Sequence, residues 1–473
     1  MIDRSVRSEG SAVRRLARDL REAVRGSEQD FTQGNLRRGV MLLAVPMVLE
    51  MSMESVFAVV DVFFVARLGA DAVATVGLAE AVLTLVVAVA VGLSMGATAL
   101  VSRRIGEKDP EGAARTAVQC YLLGLVVSVL VGVVGVFAAG DILRLMGASA
   151  EVIEIGSGYT AVLLGGSASV LMLFLGNAVF RGAGDAAIAM RVLWLANGIN
   201  IVLDPCLIFG WGPFPEMGLA GAAVATTIGR STGALYQLWI LIRGRGRIVL
   251  GRRHLRVDWG VMKRLMRVSA GGVLQYVMAT GSWVALVRVL APFGSVVLAG
   301  YTVAVRIVIF TVLPSWGLTN AAATLVGQNL GAKQPERAER AVWLTARYNL
   351  YFLGLVSIVF LLFPGTLVGL LTQDPSVIEV AAECLRWVAS CYFVFAYGTV
   401  MIQSFNGAGD TFTPTLLNLL CYWIWQIPLA WLLARTWGFG PLGVWIAIAT
   451  SETLMGVLGV LAFRRGTWKA RQV

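Results

Sequence analysis

The sequence predicts an all-α, polytopic membrane protein with twelve transmembrane helices in two pseudo-symmetric six-helix lobes. Two observations carry that prediction. The first is composition: 57% of the 473 residues are hydrophobic and 14% are charged, well short of the roughly 25% charge of a soluble domain. Apolar runs of about 20 residues, each long enough to cross a bilayer, recur from about residue 38 to 463. The second is self-similarity at one offset of 225 residues. Residues 97–116 read ATALVSRRIGEKDPEGAART and residues 322–341 read AATLVGQNLGAKQPERAERA. Leu100, Val101, Gly106 and Pro110 meet Leu325, Val326, Gly331 and Pro335. Gly69 meets Gly294 upstream, and FRGAGD (180–185) meets FNGAGD (405–410) downstream. Tandem repeats in an apolar chain form lobes that enclose a path between them.

Residues 1–37 are too charged for a secretory signal, with no apolar central region. Within them, 11–25 (SAVRRLARDLREAVR) has the pattern of a basic amphipathic helix lying on anionic lipid. The N-lobe is expected over 38–242, with spans near 38–66, 72–102, 116–139, 158–180, 187–210 and 218–242. A basic cytoplasmic linker follows at 243–265. The C-lobe is expected over 266–463, with spans near 266–290, 296–327, 342–371, 378–404, 412–434 and 440–463, and a short tail over 464–473. The connections on one side carry 31 Lys and Arg, while the opposite side holds only Arg67, Arg144 and Arg435. Basic residues stay inside, so both termini are placed in the cytoplasm and the protein in the plasma membrane. An even number of spans per half makes the lobes parallel repeats. The net charge of +11 therefore belongs to membrane topology and not to nucleic-acid binding.

Intramembrane ionisable groups cost about 2.5–3.5 kcal/mol each on insertion scales and need a reason. The first span carries Glu50, Glu54 and Asp61 at spacings of 4 and 7, which puts them on one face. Pro46, one turn earlier, removes a backbone hydrogen bond and makes a hinge. The fifth span carries Asn197, Asn200 and Asp204, and the sixth carries Thr226. Asp61 and Asp204 fall at similar depth in the outer half, so Asp61, Asn200, Asp204 and Thr226 are expected to form one polar cluster. Two close carboxylates in a low dielectric do not both ionise, and one is expected to carry a proton near neutral pH. A buried hydrogen-bond network without an ion is the alternative. At the 225-residue offset Glu50, Glu54 and Asp61 become Gln275, Ala279 and Leu286, and Asn200 and Asp204 become Trp425 and Leu429. The acids are thus expected to serve one lobe only. Glu452 and Arg306 remain as further buried charges, with Arg306 a candidate partner for a carboxylate across the lobes.

No GxxxxGK[ST], HExxH, GxSxG or DDxxD pattern occurs, which argues against an ATPase or an intramembrane enzyme. No TVGYG-like filter is present. The five cysteines lack metal-ligand spacing, and His254 lies in the linker, away from any transmembrane relay.

From about residue 38 to 463 the chain resembles the multidrug and toxic compound extrusion (MATE) transporters. The resemblance rests on LLAVPMVLEMSMESVFAVVDVFFVARLGADAVATVGLA, on LPSWGLTNAAATLVGQNLGAKQPERA and on the FRGAGD and FNGAGD turns. NINIVLDPCLIFG followed by GLAGAAVAT is similar to the DinF-type branch. That branch implies a cation or proton coupling site on helices 1, 5 and 6: Asp61, Asn200, Asp204 and Thr226, with Thr227 as a substitute. The NorM-type helix-7 carboxylate is replaced by Ala279, and 384–404 has no acid for the helix-10 position. The resemblance implies a cofactor-free secondary exporter of amphipathic, often cationic, small molecules. It would work as a monomer in the bilayer by alternating access, with H⁺ as coupling ion and Na⁺ as the alternative. Glu50 and Glu54 are extra acids outside the DinF-type branch's pattern, and with Asn197, Gln275 and Arg306 they are expected to line or modulate the substrate cavity. A lipid-linked oligosaccharide flippase of the same superfamily is the second reading, and a non-transporting receptor or scaffold the third.

Overall fold

The computed structural model describes residues 14–471 apart from 15 and 28, together with all side chains in that range except those of 66, 70, 71, 73 and 74. Within these residues the N-lobe helices are α1 (Leu36–Val65), α2 (Ala70–Gly106), α3 (Pro110–Leu145), α4 (Ala150–Ala183), α5 (Ala186–Phe209) and α6 (Gly218–Arg243). The C-lobe helices are α7 (Trp259–Leu290), α8 (Ser295–Gly331), α9 (Pro335–Leu362), α10 (Pro375–Gly407), α11 (Phe412–Thr436) and α12 (Pro441–Arg464). Ten of them are long and apolar enough to cross a membrane. The other two carry ionisable groups mid-helix: three carboxylates on α1, and Arg230 on α6.

Each predicted span falls on one of these helices, and several helices start or stop six or more residues from the predicted ends. The span expected over 116–139 is the middle of a longer helix, because Asp109 caps α3 early: its Oδ1 accepts from Gly112 N at 2.8 Å, and Pro110 occupies the first turn. The span expected over 342–371 stops at Leu362. Pro364 cannot donate to the preceding turn and starts a separate short helix, Pro364–Gly369.

The repeat is written into the backbone as well as the sequence. Gly69 and Gly294 precede α2 and α8 with φ of 103° and 99°. Gly184 and Gly409 close α4 and α10 with φ of 90° and 82°. Lys108 and Lys333, with φ of 59° and 57°, end the turns after α2 and α8. Each pair is separated by the same 225 positions.

Each lobe has its own apolar core. Val179, Phe180, Val192 and Leu241 are among the buried residues of the N-lobe, and Tyr301, Phe360, Tyr392 and Trp445 among those of the C-lobe. The lobes meet where α2 packs along α7 and α8, and where α1 packs along α8. The tightest approaches lie on the side of the basic connections. A methyl group added at Gly106, Gly327 or Gly331 would collide with Gln328, Ser102 or Arg103 of the opposite lobe. Gln328 Nε2 also donates to Gly182 O across the lobes at 2.9 Å. In the outer half, Glu80 of α2 and Arg306 of α8 are exposed.

The predicted amphipathic helix is helical over 16–25, with Leu16, Leu20 and Val24 exposed at helical spacing; residues 11–13 and 15 lie outside the described set. Beyond it the chain crosses the closed side. Arg247, after α6, donates through Nη2 to Ser27 O at 3.0 Å and Gln29 O at 2.7 Å. Arg337, on α9, donates to Gln33 O at 2.7 Å and Gly34 O at 3.1 Å. Phe31 is buried between them.

Candidate ion-coupling site

The site starts with α1, which stays helical through Pro46. Its three acids share one face and meet three different environments. Glu50 is fully buried and takes Arg181 Nη1, from the inner end of α4, at 2.6 Å. Glu54 accepts from Asn197 Nδ2 at 3.0 Å and from Arg230 Nη2 of α6 at 3.1 Å. Asp61, two turns further out, is partly buried and makes no hydrogen bond or ion pair within the described residues. The charged groups within its electrostatic reach include Glu80, Arg230 and Asp204.

Asp204, on α5, is fully buried. Its Oδ1 accepts from Asn200 Nδ2 at 3.3 Å, and the same amide donates to Thr226 Oγ1 of α6 at 3.0 Å. Asp204 Oδ2 and Asn200 Oδ1 are buried without a hydrogen-bond partner. Unpaired buried oxygens cost free energy, and here two converge at one place. Three of the four predicted cluster residues are therefore joined directly, while Asp61 makes no hydrogen bond to them among the described residues and acts on Asp204 only through its charge. Thr227, the alternative, bonds elsewhere: its hydroxyl returns to Ala223 O at 2.8 Å and its side chain packs on Gly166. Asn197 serves Glu54 and not the cluster.

A cation entering here would meet carboxylate, amide and hydroxyl oxygens from Asp61, Asp204, Asn200 and Thr226. Hard cations such as Na⁺ take oxygen ligands of this kind, and a proton needs only one of the carboxylates. Among the described residues no group of three or more His, Cys, Asp or Glu could hold a metal ion.

The structure adds two residues that the sequence reading did not single out. Arg181 counts with the basic loops in sequence, yet it is buried against Glu50. Arg230 lies mid-helix in α6, so the N-lobe interior is not purely acidic. A basic residue inside an apolar run was the available signal. Tyr159 of α4 is buried within reach of Asp61, Glu80 and Asp204.

The C-lobe answers differently. Gln275 and Asn406 exchange side-chain hydrogen bonds, both at 3.1 Å, and Gln275 also donates to Thr411 O at 3.1 Å. Glu452 is partly buried, with Tyr422 Oη donating to it at 3.4 Å. Arg306, expected to be buried, is exposed and forms no ion pair among the described residues; Glu80, across the lobes, feels its charge.

Two six-helix lobes, with the buried carboxylate oxygens that lack a donor confined to one of them among the described residues, are the architecture of a membrane transporter. The chain belongs to the MatE family, whose model matches residues 46–206 and 273–432, one segment in each lobe. It is 27% identical over 439 residues to the "Probable multidrug resistance protein NorM" of Thermotoga maritima, covering 93% of this chain and 94% of that protein. It is 24% identical to the "FAD transporter" of Shewanella oneidensis, covering 85% and 88%. Among solved structures, the crystal structure of MATE in complex with MaL6 superposes with a TM-score of 0.88 at 26% identity, covering 93% of this chain and 99% of that one. An outward-facing MATE family transporter of the MOP superfamily superposes with a TM-score of 0.87 at 26% identity, covering 93% and 98%.

Proposed function

We propose that this protein is a proton-driven exporter of amphipathic, often cationic, small molecules, with its coupling site at Asp61, Asn200, Asp204 and Thr226. The observation that carries this reading is the environment of Asp204. Glu50 and Glu54 each have an arginine in contact. Asp204 has none although it is fully buried with one carboxylate oxygen lacking a donor; Glu50 Oε2 also lacks a donor, but its carboxylate is paired with Arg181. A carboxylate in the position of Asp204 needs a proton or a mobile cation. The two lobes are closed on the basic side, which positive-inside topology makes the cytoplasm, so the described state is the one that admits protons from outside. The likeness to an outward-facing relative supports the same assignment.

Protonation removes the charge repulsion between Asp61 and Asp204 and changes what Asn200 can bond. Pro46 gives α1 a weak point at which to bend in response. Proton and substrate then bias the same two-state equilibrium in opposite senses, and by linkage each weakens binding of the other. The lobes 38–242 and 266–463 move as the two halves of the exchange, with 243–265 as linker and both termini in the cytoplasm. The plasma membrane is the setting, a monomer is the working unit, and the DinF-type branch is the affiliation.

The test is transport in proteoliposomes with ethidium as an amphipathic cationic probe, imposing a pH gradient in sodium-free buffer and a sodium gradient without a pH gradient. Ethidium flux driven by the pH gradient alone is the expected result. Flux that needs Na⁺ and ignores the pH gradient overturns the choice of ion, and flux under neither gradient overturns antiport.

A further inference from the structure

Arg230 stands between two acids of one helix and contacts only one of them. Its Nη2 donates to Glu54 Oε1 at 3.1 Å, while its Nη1 is buried without a partner. The guanidinium lies over Phe57 at 5.2 Å and Phe174 at 6.0 Å from the ring centroids, in an apolar slot with 11% of its side chain exposed. A buried guanidinium with an idle fork gains from any carboxylate that can reach it. Glu54 and Asp61 are seven residues apart on the same face of α1, about 10 Å along the axis. Arg230 follows Thr226 by four residues on α6, so it sits one turn inward of the cluster on the cluster's own face. Asp61 is the carboxylate above it that has no contact partner.

We propose that Arg230 is a positioning residue for ion coupling: an internal cation that holds Glu54 while Asp61 is protonated and shifts its free nitrogen toward Asp61 when that proton leaves. The proposal rests on the coupling reading above and extends it to a residue outside the four-member site. Arg230 then does for the empty carrier what the proton does for the loaded one, so the acids are never left bare in the apolar lobe. The groups facing this region from the packed helices are Glu54 and Asp61 of α1, Glu80 of α2, Tyr159 of α4 and Asp204 of α5. Glu50, the remaining acid of α1, is already neutralised by Arg181. The repeat points the same way. At the 225-residue offset Glu54 and Asp61 become Ala279 and Leu286, and in the last helix of each lobe, where Gly221 and Gly443 make matching close approaches to the preceding helix, Glu452 stands where Arg230 does, so the cation is absent where these two acids are absent.

The experiment is the pH profile of ethidium flux in proteoliposomes for four forms: wild type, Arg230→Met, Arg230→Lys, and the double variant Arg230→Met/Glu54→Gln. Removing a nearby positive charge favours the protonated acid, so the midpoint for proton release is expected to move to higher pH by about one unit in Arg230→Met. Arg230→Lys keeps the charge and is expected to stay close to wild type. The double variant leaves no unpaired buried Glu54, so it remains informative if Arg230→Met fails to fold, and it is expected to show an alkaline shift that is smaller because losing the Glu54 charge opposes it. A double-variant profile that superimposes on wild type overturns the proposal. So does an Arg230→Lys profile displaced as far as Arg230→Met, which would make the role one of shape. If wild-type flux itself ignores the pH gradient, the underlying proton-coupling reading fails first, and that result is visible before any variant is compared.

Discussion

Arg181 Nη1 meets Glu50 at 2.6 Å in the N-lobe at the positions where, 225 residues later, the C-lobe places the amide pair Gln275 and Asn406. The contact is the same, between the inner end of the fourth helix of a lobe and the face of its first. One copy is an ion pair and the other a neutral reciprocal hydrogen bond. The C-lobe shows that the join itself does not require charge.

The substitution Arg181→Ala alone is accordingly expected to destabilise the protein by about 3 kcal/mol, because it strands a buried carboxylate. The double variant Glu50→Gln/Arg181→Asn copies the C-lobe pair and is expected to restore most of that loss. Denaturant unfolding in detergent reads both. Equal destabilisation by the single and double variants would show that the two joins are not interchangeable.

Asp61→Asn and Asp204→Asn are each expected to abolish ethidium efflux at matched protein level, whereas Gln275→Ala is expected to leave most of it. Asn keeps the shape of the carboxylate but cannot take up and release a proton. If the three variants are impaired to a similar degree, coupling is not confined to one lobe.

The linker between the lobes carries its own pH response. His254 is buried, and its Nε2 lies 2.8 Å from Glu111 Oε2 at the start of α3, while its Nδ1 accepts from Gly251 N at 3.0 Å. The hydrogen bond from His254, helped by the charge of Arg253, holds the Glu111 carboxyl below its ordinary range. A carboxyl lowered in the folded state stabilises above its unfolded value and loses that contribution as pH falls through the folded value. Acidification below about pH 4.3, the unperturbed glutamate value, is therefore expected to free residues 251–258, read as a loss of amide-exchange protection relative to the intrinsic rate at each pH. Glu111→Gln should show the freed behaviour at neutral pH and no further change on acidification.

Cysteine placed at the exposed Val249 is expected to react with a membrane-impermeant maleimide only after cells are permeabilised. Background is low, since Cys120, Cys384, Cys391 and Cys421 are buried and Cys206 is half-buried. Labelling of intact cells would reverse the membrane orientation.

The architecture was legible because apolar run length and a constant repeat offset are properties of the chain alone. Asp61 and Asp204 were legible for a related reason: an acid in an apolar run announces its cost. Pairing was not. Glu50 and Arg181 are 131 residues apart and Glu54 and Arg230 are 176 apart, and nothing local says that each acid already has its cation. Arg181 was the harder case, because at a helix end it reads as one more basic loop residue. Thr226 was named from the resemblance, with Thr227 left open as a substitute. Adjacent helical residues point about 100° apart, and only the packed phase of α6 shows which hydroxyl meets Asn200.

The segment crossing the closed side acts as a mechanical tie. Arg247, in the linker, is paired with Asp185 of the N-lobe and Arg337 belongs to the C-lobe, yet both grip backbone carbonyls of the same short stretch, Ser27 to Gly34, with Phe31 wedged beneath. When the inner ends of the lobes part, one of these grips must let go or the stretch must lengthen. Under the alternating-access reading, a pull on the chain ahead of residue 27, such as the apolar stripe of Leu16, Leu20 and Val24 sinking into a leaflet or a bulky fusion at the terminus, would bear on how easily the carrier opens inward.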